Sequence, residues 1–402
     1  MTPGLPGDKL IALSLEVASA KRASDLQFRA DRPLYLETQD GMECVNELGN
    51  ISKSTVFDLL KVLLASRTSS GHGFGEDDDE SIRSEGQIEV SLNRFLETRV
   101  LDFSCDGIEF ANTKEKSGRL RVQAHLSASG LGITIRVLSD HIPELETLGL
   151  APDIVHSLRG FATKRAGLAL VTGPTGSGKS TTLASLIDWV RRHSPKHIVT
   201  VEDPVEYRYP FDMVDPADPS RKVQPPGIIT QQEVGRDVHS YRQGLKDVLR
   251  KAPHIILLGE IRDREAMETC IEAAQTGHMV LSTLHTTGAV RTLGRILEFY
   301  PQEAHAGVLG RLSEILLFIL SQGLLKGYNR RVLTYEYLQN NDDAVSSGIV
   351  NYGGATRALD DVIRRAGNVE WDANLYNLYK QGIISQEVYE SSRLKFDDEL
   401  AL

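Results

Sequence analysis

The sequence predicts an α/β protein in which a doubly wound, mostly parallel sheet over residues 141–338 is preceded by an α+β domain over 1–140 and followed by a helical region over 339–402. Two observations carry that expectation. Apolar, strand-like segments at 167–172, 197–202, 254–259 and 279–284 alternate with segments of helical spacing, the pattern of a parallel sheet with covering helices. A glycine-rich loop, Gly173-Pro174-Thr175-Gly176-Ser177-Gly178-Lys179-Ser180-Thr181, sits where the first of those strands passes into a helix.

Taken in order, residues 9–21 and 55–66 show helical spacing, and Gln87–Leu92, Gly107–Ala111, Leu120–Leu126 and Gly132–Val137 alternate as strands. Between them the polar, acidic run Ser69–Glu80 predicts a surface loop rather than a cation site, because such charge runs are solvated. Tyr209–Gly227 holds five prolines and predicts an irregular loop at the sheet rim. The run Ile315–Leu320 predicts a buried helix, being far shorter than the roughly 20 residues of a membrane span. Beyond Tyr337, helical patterns return at Ala355–Arg365, Ala373–Lys380 and Ser385–Lys395.

With 402 residues there is length for two or three domains. A net charge of −10 and 6% aromatic residues argue against a nucleic-acid motor, which needs a basic channel or stacking aromatics. A small-molecule kinase is disfavoured by the extra amino-terminal domain, and a non-hydrolysing scaffold by the presence of every catalytic residue type. Cys44, Cys105 and Cys270 are too far apart for a C-x-x-C pair, which predicts a reducing compartment and no zinc site. The first residues lack the charged and apolar regions of a secretory signal, so a cytoplasmic protein is expected.

The chemistry begins at the glycine-rich loop. Its glycines let backbone N–H groups turn toward an anion, and the following helix presents its positive end to the same phosphates. Lys179 is placed to reach the β- and γ-phosphates of ATP, and the Ser180 hydroxyl to ligate Mg²⁺. Thr200–Glu206 closes the next strand with acids. Ile255–Asp263 is an apolar strand whose usual terminal Asp is replaced by Gly259, which makes Glu260 the acid that orients or deprotonates water. Thr276–Thr287 brackets a strand with His278 and His285, and His285 stands where a γ-phosphate can be sensed. Arg119, Arg121 and Arg136 are basic residues on strands of the first domain.

The segments Gly173–Thr181, Thr200–Glu206, Gly259–Asp263 and Thr276–Thr287 resemble the Walker A, Asp box, atypical Walker B and His box of the secretion (traffic) ATPases. These are the hexameric motors of type II and type IV secretion, type IV pili and some conjugation systems. Ala23–Leu26, Gln231–Gly235 and Leu378–Ser385 extend the resemblance over most of the chain. It implies a PAS-like first domain, a RecA-like P-loop domain, ATP and Mg²⁺ as cofactors, and a homo-hexamer. It also implies inner-membrane platform or coupling proteins as partners. The charge and aromatic content predict no direct nucleic-acid contact, and, with no anchor visible, a peripheral place on the cytoplasmic face of the inner membrane is expected. Glu260 takes the catalytic role with Glu202 as the alternative base. Glu202, Asp203 and Glu206 become supporting acids around Mg²⁺ and water, and Arg119, Arg121 and Arg136 match the arginines that complete the site from the first domain. The missing zinc element points away from extension-type motors. The insertions at 69–85 and 209–227, with Lys251–His254 in place of an acidic lead-in, favour a secretion or conjugation apparatus over pilus retraction.

Overall fold

The chain forms two units, Met1–His141 with Pro204–Arg208, and Ile142–Asp203 with Tyr209–Leu402. The computed structural model describes residues 5–38, 41–68, 80–113, 115–139, 141–352, 363 and 367–394.

The first unit is built from α1 (Gly7–Ala20), β1 (Asp25–Arg29), β2 (Leu34–Thr38), β3 (Gly41–Val45), α2 (Lys53–Thr68), α3 (Glu80–Thr98), β4 (Val100–Cys105), β5 (Leu120–Ser127) and β6 (Gly130–Val137). Its strands form an antiparallel six-stranded sheet in the order β3-β2-β1-β6-β5-β4. Residues two apart bury one face: Leu26 and Phe28, Leu34 and Leu36, Val122 and Ala124, Ile133 and Ile135. Leu10, Ile11 and Leu15 of α1 and Val56, Leu59, Leu60 and Leu63 of α2 join that core at helical spacing.

Two strand expectations fail here. Gln87–Leu92 lies inside α3: Ile88, Leu92 and Phe95 turn inward at helical spacing, while Val90, whose alternation suggested a strand, is 69% exposed. Gly107–Ala111 contributes only an isolated bridge from Glu109 to Lys116, and a Cβ at Gly107 would stand 1.8 Å from the Ser117 carbonyl oxygen. The expected loop at 69–80 lies outside the described residues as far as 79, and 80–85 belong to α3.

The second unit begins with α4 (Pro152–Ala162), β7 (Gly167–Thr172), α5 (Lys179–His193) and β8 (His197–Glu202), then the short strands β9 (Met213–Asp215) and β10 (Asp218–Val223) and strand β11 (Ile228–Glu233). There follow α6 (Tyr241–Val248), β12 (Ile255–Leu258), α7 (Arg264–Gln275), β13 (Met279–Leu284), α8 (Ala289–Leu297) and α9 (His305–Ile315). The described part ends with β14 (Leu316–Lys326), β15 (Arg331–Gln339), α10 (Asp343–Val350), α11 (Trp371–Lys380) and α12 (Gln386–Ser392). Seven strands order as β11-β8-β12-β13-β7-β14-β15, parallel except for the last pair. The central strands β7, β12 and β13 are buried on both faces and are accordingly mostly apolar along their length. Ala169 and Val171 pack with α4 and α5 residues such as Leu158 and Leu183. Leu168 and Leu170 pack on the other face with residues of α7 and α8 such as Met267 and Leu293.

The run Ile315–Leu320, expected to be a helix, ends α9 at Ile315 and is strand β14 from Leu316 on. Phe318 and Leu320 enter one core and Leu316 and Ile319 the other, and a short apolar run buried on both sides carries no period that separates strand from helix. Tyr209–Gly227, expected to be irregular, carries the antiparallel pair β9–β10. Ala373–Lys380 lies within α11 and Ser385–Lys395 contains α12. Ala355–Arg365 lies outside the described residues except for Ile363.

Candidate functional site

Four adjacent strands, β8, β12, β13 and β7, deliver the sequence-predicted residues at their carboxyl ends, where ligands bind in open parallel sheets. From β7 the chain enters the glycine-rich loop. Gly173, Gly176 and Gly178 hold φ of 140°, 77° and 88°, which a side chain disfavours. Pro174, Thr175 and Gly176 are exposed, whereas Ser177 is buried. Lys179, first residue of α5, is buried and donates from Nζ to the carbonyls of Gly173 at 2.8 Å and Pro174 at 3.0 Å. Its ammonium thus lies against a loop at the positive end of the following helix, an arrangement suited to phosphate. Ser180 and Thr181 follow in the first turn of α5, with Ser180 exposed.

The acids gather on the neighbouring strands. Glu202 ends β8, and its Oε1 accepts from Thr200 Oγ1 at 2.6 Å and Gln231 Nε2 at 3.3 Å. Glu260 stands two residues beyond β12. Its Oε2 accepts from Arg262 Nε at 3.0 Å, and its Oε1 lies 3.4 Å from His285 Nε2, just past β13. Burial, and secondarily the Lys179 ammonium, lower the His285 pKa, so its imidazole is neutral at pH 7. Glycine at 259 also has a steric reason: a Cβ there would approach the Tyr241 hydroxyl to 3.0 Å and the Val201 carbonyl oxygen to 3.3 Å. Glu260 and His285 therefore meet, with Lys179 within electrostatic reach of His285, and Glu202 ends the strand beside β12. His278, by contrast, lies against Thr276 and the Ala273 carbonyl at the start of β13.

Two groups in this cluster carried no local sequence signal. Burial, reinforced by the Asp203 carboxylate, raises the Tyr241 pKa, so its hydroxyl remains a hydrogen-bond donor within electrostatic reach of Asp203, Glu202 and Glu260. Gln322, on β14, donates from Nε2 to the Ser177 carbonyl at 2.8 Å. Tyr241 follows the Ser240 cap of α6, a helix-start signal with no chemistry in it. Gln322 became visible only when β14 paired with β7.

The arginines belong to the first unit. Arg119 is 4% exposed and donates to the Val205 carbonyl and to Ser104 Oγ, the latter at 2.6 Å. Arg121 meets Glu206 at 3.2 Å, so Glu206 is held by an arginine. Arg136 grips Asp25 with Nε at 2.9 Å and Nη2 at 3.2 Å, across directly paired positions of β6 and β1. Among the described residues no cluster of histidines, cysteines and acids forms a ready metal cage.

The family model for type II/IV secretion system proteins matches residues 106–361. The uncharacterized protein YggR of Escherichia coli is 36% identical over 285 residues, 70% of this chain and 81% of that protein. The type IV pilus ATPase PilU of Pseudomonas aeruginosa is 36% identical over 284 residues, 69% of each. A crystal structure of the pilus retraction motor PilT with bound ADP superposes with a TM-score of 0.74 at 29% identity, covering 95% of this chain and 97% of that one. The fold class is accordingly a RecA-like P-loop domain preceded by a PAS-like α+β domain, with a small helical tail.

Proposed function

We propose that this chain, which belongs to the type II/IV secretion system family of P-loop ATPases, is a motor that hydrolyses ATP as a homo-hexamer and powers retraction of a type IV pilus. The observation that carries the ATPase chemistry is the convergence of the Lys179 loop, Glu260 and His285 at the ends of adjacent strands. The retraction reading, rather than the secretion or conjugation reading that the insertions favoured, rests on similarity to PilU and PilT.

In this reading the loop Gly173–Thr181 binds the phosphates of ATP, and Lys179 exchanges its loop carbonyls for phosphate oxygens. Ser180, with Glu202 and Asp203 through water, would hold Mg²⁺, whose charge neutralises the phosphates. Glu260, steadied by Arg262 and watched by His285, places and deprotonates the attacking water. Glu202 is the second candidate base. Its Oε1, already engaged by two donors, suits a supporting role better. Of the three expected arginines, Arg121 and Arg136 complete the site when they come from another subunit. Arg121 and Arg136 keep 38% and 49% of their side chains exposed and can be drawn toward a phosphate, whereas Arg119 is a buried strut for Pro204–Arg208. No described helix is long and apolar enough to cross a membrane. In this reading the motor meets the inner membrane through platform proteins.

Glu260→Gln is expected to bind ATP with near wild-type Kd while turnover falls at least ~100-fold, the scale of lost general-base catalysis. Lys179→Ala loses turnover altogether. Near-normal turnover by Glu260→Gln transfers the base to Glu202. Deleting the gene in its source organism separates the apparatus readings: pili that persist but no longer retract support the proposal, and intact retraction with failed secretion rejects it.

A further inference from the structure

Strand β14 runs parallel to β7 with Leu320 opposite Val171 and Ser321 opposite Thr172. That register brings Gln322 beside Gly173, the first residue of the phosphate-binding loop. Gln322 is 1% exposed and donates to the Ser177 carbonyl at 2.8 Å. Its own backbone carbonyl backs Gly173 so closely that a Cβ there would stand 2.1 Å from the oxygen. A Cβ on Gly178 would meet Nε2 at 3.1 Å. The loop is therefore seated on Gln322 at its start, its middle and its end.

The preceding residue serves the opposite face, because successive strand residues alternate. Ser321 is fully buried, and its Oγ accepts the Gly288 N–H at 2.7 Å while lying 3.5 Å from the Thr286 carbonyl. Across the β14–β15 ladder Ser321 faces Glu336, whose carboxylate accepts the next N–H, that of Ala289. These bonds fix the segment that follows His285 into α8. Two consecutive residues of one strand thus hold two loops, one carrying Lys179 and the other His285.

We propose that Gln322 and Ser321 are positioning residues of the ATPase site: Gln322 sets the phosphate-binding loop for nucleotide affinity, Ser321 sets the His285 loop for turnover, and β14 ties the two together. The inference rests on the ATPase reading above. Neither residue touches the reacting atoms, so both act through the loops they hold.

The test compares the full-length chain with Gln322→Glu, Gln322→Leu and Ser321→Ala, measuring ATP Kd by calorimetry and kcat by phosphate release. An ionised carboxylate cannot donate to the Ser177 carbonyl, but a protonated one can. At this 1% exposed position burial raises a carboxyl's pKa well above its ordinary value, so Gln322→Glu is expected to weaken ATP binding roughly ten-fold near pH 9, with the deficit shrinking toward about pH 6. Gln322→Leu, which cannot donate in any state, weakens binding at both. Ser321→Ala lowers kcat and leaves Kd unchanged. A purely structural role would lower the melting temperature without the pH-dependent deficit or the division between Kd and kcat. If wild type binds ATP and Lys179→Ala does not, while the Gln322 variants bind like wild type at every pH, this inference falls alone. If Ser321→Ala raises Kd as much as Gln322→Leu, the division of labour is wrong. If wild type does not bind ATP, the ATPase reading and this inference fall together.

Discussion

The two histidines around β13 show what a residue gains from its place. His278 opens the strand against Thr276 and a backbone carbonyl, and His285 closes it 3.4 Å from Glu260. Burial and Lys179 lower the His285 pKa from its ordinary 6.5, so the unfolded chain takes up that proton first. Its contribution to stability is full above that ordinary value and is lost as pH falls through it toward the lowered folded value. Catalysis follows the same direction, because a protonated His285 places a cation against the Glu260 carboxylate. His285→Gln should therefore lower kcat near neutrality, and the ratio of variant to wild-type kcat should rise toward one as pH falls from the ordinary 6.5 through the lowered folded value. A ratio that stays constant from about pH 5 to 8 would remove His285 from the proton-sensitive part of the site. Lys179, Glu202, Glu260 and His285 stand out in the sequence because each lies at or beyond the end of a strand at motif spacing. Tyr241 and Gln322 were not, since their roles depend on which strands and helices become neighbours.

At the scale of elements, legibility followed periodicity. Strands β7, β8, β12 and β13 combine apolar runs with flanking turn signals, and all four were read correctly. The residues of α3 were misread because Ile88, Val90 and Leu92 alternate as a strand does, and only the wider window with Phe95 reveals a helix. Burial decides between the two readings: Phe95 is 2% exposed and Val90 is 69% exposed. Phe95→Ala should cost the first unit about 3–5 kcal/mol, through lost transfer energy and the cavity left behind. Val90→Glu should stay within about 0.5 kcal/mol, as surface changes do. Urea unfolding followed through the first unit's own transition measures both. A Val90→Glu penalty comparable to that of Phe95→Ala would mean that this face of α3 is covered. For β14 the ambiguity lay in the apolar run itself, whose two buried faces erase the alternation that marks a half-exposed strand.

At the scale of the whole molecule, the question is whether one chain contains a complete catalytic site. Lys179, Glu260 and His285 lie in one unit, and the arginines expected to neutralise the γ-phosphate lie in the other, each engaged there by a carbonyl or a carboxylate. An arginine delivered to the γ-phosphate can be worth about 10³–10⁵ in turnover. If it comes from a neighbouring subunit, ATPase activity per chain must depend on assembly. Activity should rise steeply with protein concentration and then level off, and light scattering should show association over the same range. Arg121→Ala should lower the plateau without shifting the association curve, because the variant still assembles. Mixing Arg121→Ala with Glu260→Gln subunits gives the sharper result: at mixed interfaces an intact base meets an intact arginine, so part of the activity returns. Restoration requires that the two residues act in trans. Substantial activity that is flat down to concentrations where only monomer scatters would place the whole site within one chain, and both the hexamer and the arginine assignments would be discarded.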